Sequence, residues 1–95
     1  MYSAMQIAKY TINKCTTEGH PISNLQLQKI LYYIQRELLQ SGIEGFEDEI
    51  QAWQFGPVVP EVYRQYCGFG AIPIRMKYDI EIAPEYMHII DTIIE

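Results

Sequence analysis

Three acidic side chains in a row, Glu47, Asp48 and Glu49, are the first candidates for chemistry in this sequence, because paired carboxylates can divide general acid and general base work between them. Adjacent carboxylates on a loop point apart rather than converge, so the run reads as a solvated turn. The D-x-[DN]-x-[DN]-G pattern of a calcium loop is missing. His20 stands beside a proline in a loop and His88 in the last helical stretch, too isolated in sequence to suggest metal ligation. Cys15 and Cys67 lack C-x-x-C spacing and read as two buried free thiols, not as zinc ligands or a disulfide framework. There is no G-x-S-x-G, no phosphate-cradling glycine loop and no H-E-x-x-H. No catalytic, cofactor or metal site is expected, and the chain reads as a binder rather than an enzyme.

Two stretches suit binding. In LQLQKILYYIQR, helical projection puts Gln28 with Gln35 and Lys29 with Arg36 on two polar seams, and Tyr33 lies one turn from both Lys29 and Arg36. These are either solvated seams or a contact patch, since tyrosine and arginine are favoured at interface hot spots. The second stretch is QAWQFGPVVPEVYRQY, residues 51–66. Pro57 and Pro60 fix φ and push their preceding residues toward extended geometry, so Gly56 to Val59 is expected as a stiff strand-to-helix turn. Such a corner either seats Trp53 and Val58 or Val59 in the core, or presents Gln54, Glu61, Tyr63 and Arg64 on a platform with little ordering cost.

The elements that must position these residues follow from periodicity and punctuation. Ala4, Met5, Ala8, Ile12 and Cys15 repeat at helical spacing over residues 3–17, and Gly19 with Pro21 ends that helix near Glu18. Ser23 and Gln26 form a capping box, with Ile22 and Leu27 at the staple positions, for a helix over 22–41. Its apolar residues fall in two stripes, Leu27, Ile30, Leu31, Ile34 and Leu38 against Leu25, Tyr32 and Leu39. That pattern predicts a central helix packed on two sides. Gly42 and Gly45 break it. Residues 49–55 favour a strand, and 74–82 alternate strictly between apolar and charged, the period of a half-buried antiparallel strand. The two are expected to pair. A short helix opens at Pro60 and closes by Gly68 and Gly70, and a last one starts near Pro84 with Met87, Ile90, Ile93 and Ile94 inward.

Length and composition bound the result. At 95 residues the chain makes a single domain, 1–95, and 48% hydrophobic with 13% aromatic residues calls for a packed core. A net charge of −5 disfavours nucleic acid as a partner. MYSAMQIAKY lacks the apolar core of a secretion signal and no run approaches a membrane span, which predicts a cytoplasmic protein.

The two binding stretches together resemble the Panacea domain, the SocA-like or phage-associated GepA-like antitoxin family. The family's L-x-L-Q-K-L-L-Y-Y-x-Q helix is matched at residues 25–35, and its E-A-W-x-x-G-P-V-V-P-x-V-Y corner at 51–63. Gln28, Lys29, Tyr32, Tyr33, Gln35, Trp53, Gly56, Pro57, Pro60 and Tyr63 carry the likeness, with Gln51 in place of the usual acidic residue. The resemblance implies a non-enzymatic domain of toxin-antitoxin systems, frequent in prophages and mobile elements, that neutralises a toxin by contact or delivers it to an AAA+ protease. It also implies that family members generally continue with further helices beyond the point where this chain stops.

The expectation is a mostly α-helical α+β domain, with a central helix packed by flanking helices and a small two-stranded antiparallel β element. Its expected work is antitoxin binding of a toxin protein. The alternatives are a phage- or mobile-element-encoded inhibitor or adaptor acting on a host defence or replication protein, an enzyme with an unrecognised site, and a DNA-binding autorepressor. A homodimer through the isoleucine-rich last helix is expected as well.

Overall fold

The computed structural model describes residues 1–95 and is mostly helical, with four α-helices and one antiparallel hairpin. The elements are α1 (Ala4–Thr17), α2 (Asn24–Gln40), β1 (Gln51–Trp53), β2 (Gly56–Val58), α3 (Pro60–Tyr66) with a 3-10 turn at Cys67–Phe69, and α4 (Pro84–Ile94). Both long helices start with the same device. The Ser3 and Ser23 hydroxyls accept from the backbone N–H of Gln6 and Gln26, whose side chains accept the serine N–H groups at 2.8 Å. Each box satisfies amides that a helix start leaves orphaned. α2 ends where Gly42 adopts a φ of 72° and Ile43 N–H reaches back to the Leu38 carbonyl, a left-handed stop that glycine makes without strain.

α2 is the axis of the core. Leu27, Leu31, Ile34 and Leu38 are fully buried among Ala4, Ile7, Ala8 and Ile12 of α1, Val62 and Tyr66 of α3, and Tyr86, Ile89 and Ile90 of α4. α4 lies along α2 and is tied down by phenols: Tyr86 donates to the Glu44 carbonyl, Tyr10 donates to Asp91 at 3.0 Å, and Tyr2 accepts from Ala83 N–H at 2.8 Å. Tyr86, Ile89 and Ile90 form its inner stripe, with Met87, Ile93 and Ile94 half-buried against the same core. Of the residues that suggested a homodimer, Ile90 is buried within the chain and Met87, Ile93 and Ile94 keep part of their surface in water.

Several expectations are corrected. β1 pairs with β2, in the register Gln51–Val58, Ala52–Pro57 and Trp53–Gly56, so Gly56 to Val58 is a strand and the turn falls on Gln54 and Phe55. Residues 75–82 form no strand; the segment touches the rest of the backbone ladder only at the Ile22–Ile74 bridge. Its alternation holds in part: Ile74 and Ile82 are buried and Tyr78 and Ile80 half-buried, with Arg75, Lys77, Asp79 and Glu81 in water, but Met76 is exposed as well. Side chains take the place of a partner strand: Asn13 accepts Tyr78 N–H, Thr16 donates to the Ile74 carbonyl, and the Tyr66 and Tyr78 hydroxyls meet at 2.7 Å. A period of two reports extended backbone with one wet side, which a strap across helices has as much as a strand.

On α2, the stripe of Leu25, Tyr32 and Leu39 faces solvent, because no element covers that side. Cys15 is buried but Cys67 is exposed. Asp48 is no free carboxylate of a solvated turn: its Oδ1 accepts Ala4 N–H at 2.8 Å, placing negative charge at the start of α1.

The buried phenols set a prediction for high pH. Burial, followed by the hydrogen bond to Tyr78, holds Tyr66 protonated well above the usual tyrosine range, and burial with Asp91 raises Tyr10 to about 12. The fold prefers the neutral phenol, so this stability is complete below the unfolded value of about 10 and drains away as pH rises through the folded values. Urea midpoints should hold level from about pH 8 to 9.5, then fall steadily, and Tyr66→Phe should flatten the fall.

Candidate partner-binding face

Two glutamines on one stripe of α2 hold the hairpin in place. The Oε1 of Gln28 accepts Val59 N–H at 2.9 Å, and its Nε2 donates to Asn24 Oδ1 at 3.0 Å; Asn24 Nδ2 in turn donates to the Tyr63 carbonyl at 3.1 Å. This relay locks the corner between Pro57 and Pro60 and the first turn of α3 onto the start of α2. Gln28 is only 2% exposed, so every polar atom of its amide must find a partner inside the protein. Two turns later Gln35 does the same for the preceding loop: Phe46 N–H donates to its Oε1 at 3.0 Å, and its Nε2 donates to the Phe46 carbonyl at 2.8 Å. Gly45 lies against that amide, where any Cβ would collide with Gln35. The expected water-facing seam of Gln28 and Gln35 is therefore an inward one, because an amide carries the donor and the acceptor that a loop backbone needs.

Hung between these two anchors, the hairpin leaves an open groove of about 620 Å³ against the outer side of α2. Lys29, Tyr32 and Tyr33 line the helix side, and Ile50, Ala52, Trp53 and Pro57 are among those lining the other. The Tyr32 and Tyr33 rings meet edge to face at 5.6 Å, and the Arg36 guanidinium sits 5.2 Å from the Tyr33 centroid and 5.9 Å from that of Tyr32. Such contacts hold the arginine over aromatic faces without neutralising it. Trp53 is half-buried, packed edge to face on Tyr63 at 5.1 Å, with its indole N–H donated to Gln51. Tyr33 is 47% exposed, and Leu25, Tyr32 and Leu39 extend the apolar surface along the same helix.

The structure brings together only part of the expected set. Lys29, Tyr33 and Arg36 are exposed on one face with Tyr32, and Trp53 lines the adjoining wall, with Tyr63 packed on its ring outside the lining. Gln54, Glu61 and Arg64 are exposed but lie outside the groove lining. Val58 and Val59 are both in the core, and Gly56, Pro57 and Pro60 shape the corner. Asn24 and Gly45 were not anticipated. The Asn24–Gln28 spacing of four was a visible signal for the first, since amides one helical turn apart can bond. His20 and His88 are exposed, and no three His, Cys, Asp or Glu side chains come together in a metal-holding arrangement. No helix is long and apolar enough to cross a membrane.

The helix and corner that build this groove also decide the kinship. The profile of the family described as "Antitoxin SocA-like, Panacea domain" matches residues 27–95. The chain belongs to the SocA-like Panacea family. Among curated proteins, "Antitoxin SocA" of Caulobacter vibrioides (strain NA1000 / CB15N) is 41% identical over 71 residues, covering 70% of this chain. The chain spans 36% of that relative's length. No solved structure matches. In this Panacea chain, the motif glutamines Gln28 and Gln35 serve as structural anchors, while Lys29, Tyr32 and Tyr33 of the same motif face the groove.

The relay yields a prediction. Gln28→Ala strands Val59 N–H in the interior and should destabilise by about 1–3 kcal/mol. A double-mutant cycle with Asn24→Ala should show a coupling of about 0.5–3 kcal/mol, as for neighbours in one network, measured by urea unfolding.

Proposed function

We propose that this chain is the protein-binding domain of an antitoxin, which neutralises a toxin by direct contact through the outer face of α2 and the adjoining hairpin. The observation that carries the reading is the exposed cluster of Tyr32, Tyr33 and Arg36 beside the groove, in a fold whose other helices bury their apolar stripes. Tyrosine and arginine offer large contact area at small entropic cost and dominate interface energetics. Membership of the Panacea family and likeness to a protein named as an antitoxin support the same reading. The role is non-catalytic and cytoplasmic. The same face serves whether the bound toxin is simply blocked or handed on to an AAA+ protease.

The anchoring of the groove favours this use. Trp53, Pro57 and Tyr33 sit on backbone fixed by prolines and amide bonds, so little conformational freedom is lost when a partner docks.

The test is growth rescue. The chain should restore growth when co-expressed with the product of a toxic reading frame adjoining its gene. Tyr33→Ala with Arg36→Ala should weaken binding by at least about 1–2 kcal/mol and abolish rescue, with melting temperature unchanged. Glu61→Ala and Arg64→Ala, outside the groove, should remain close to wild type. Full rescue by the double variant would remove the face from the mechanism.

A further inference from the structure

The hairpin has one sealed edge and one open edge. Pro57 has no N–H, so Ala52–Pro57 can only be the non-hydrogen-bonded pair of the register, and Gln51–Val58 and Trp53–Gly56 are the bonded pairs. The N–H and C=O of Ala52 therefore point away from β2. Ala52 is exposed, the sheet has only two strands, and no side chain bonds that backbone. Beyond β2 the situation is reversed, because the outward N–H of Val59 is taken by Gln28. An unpaired edge is a template for another strand.

Charge and shape define what would fit. The groove beside the edge presents the rings of Tyr32, Tyr33 and Trp53 next to Lys29. Neither Lys29 nor Arg36 has a carboxylate within ion-pair distance; the three ion pairs of the chain involve only the N-terminus and Lys14. Two uncompensated cations on one helix face of a chain with net charge −5 suit a carboxylate there. Glu47, Asp48 and Glu49 precede β1 and repel acidic groups at that end.

We propose that the open edge of β1 takes an extended peptide segment of the partner as a third strand, with alternate apolar side chains in the groove and a carboxylate over Lys29 and Arg36. The inference rests on the antitoxin reading for its biological partner and names how that partner is held.

Ala52→Pro is the discriminating variant. It deletes the outward N–H but costs the hairpin no bond, since Ala52 already faces a proline across the ladder, and proline is tolerated on an edge whose N–H side faces water. A random linear heptapeptide phage library is panned on the wild-type chain with counter-selection on the variant. Enriched sequences should alternate aliphatic or aromatic residues with polar ones and include Asp or Glu. The best enriched peptide, made synthetically, should lose up to about tenfold in affinity on Ala52→Pro, the effect of one net backbone bond. It should lose as much when its own central amide is N-methylated, and bind more weakly to Lys29→Glu. The N-methyl arm uses the wild-type chain and stands even where Ala52→Pro unfolds. No enrichment over the counter-selected background, or enriched peptides indifferent to N-methylation, would overturn strand addition. In growth rescue, full activity of a folded Ala52→Pro chain beside an inactive Tyr33 and Arg36 double variant would keep the face and remove the strand. Full activity of both would remove both readings.

Discussion

The geometry of the groove depends on a single kind of interaction, the side-chain amide of α2 bonded to loop backbone. Gln28 and Gln35 stand two turns apart on one stripe of the helix and grip Val59 and Phe46, so the hairpin between those residues is held at both ends by the same rigid rod. A loop brought against a helix brings peptide groups with it, and each one buried without a partner is costly. A leucine at either position would fill space but leave the backbone unsatisfied. The glutamines satisfy it and also fix register, because bonds at about 3 Å tolerate little sliding.

α2 consequently works on three sides. Leucines and isoleucines face the other helices, amides face the loop and the corner, and tyrosines with Lys29 and Arg36 face water. The prolines of the corner complement the amides. Pro57 and Pro60 remove two donors from a stretch that lies against a helix, which leaves fewer N–H groups to satisfy, and Gln28 takes the one just past β2, at Val59. The acidic loop before the hairpin has a comparable double use, since Asp48 caps α1 while Glu47 and Glu49 stay in solvent.

Much of this was legible in the sequence, and the pattern of success follows the range of the interaction. Local signals were reliable. The Ser23–Gln26 box, Pro60 and Pro84 at helix starts, and Gly42 past a helix end all stand where short-range stereochemistry puts them. Long-range pairing was not. The alternation over 74–82 correctly indicated an extended segment with a wet side, yet nothing local could say that Asn13, Thr16 and Tyr66 would meet it instead of a strand. The same limit hid the Asp48 cap, which spans 44 positions of sequence. On α2 residue type misleads: polarity points the glutamine seam to water and the stripe of Leu25, Tyr32 and Leu39 to the interior, and the structure has the reverse. An amide breaks the link between polarity and exposure whenever backbone must be buried beside it.

That inversion leaves large apolar side chains in water beside a small core. Exposing Leu25, Tyr32, Tyr33 and Leu39 forgoes the stability their burial would supply, and a chain of this size has little to spare. The loss is tolerable because α2 draws cohesion from its other sides, through fully buried aliphatics and the amide anchors. Arg36 over the two tyrosine rings adds to it, keeping the outer face ordered and wetted by a charge rather than collapsed or sticky. A face built this way is apolar enough to gain from docking and charged enough to stay dispersed without it. Because the anchors lie on the opposite seam of the helix from Tyr33, a change of the outer residues leaves the hairpin where Gln28 and Gln35 hold it.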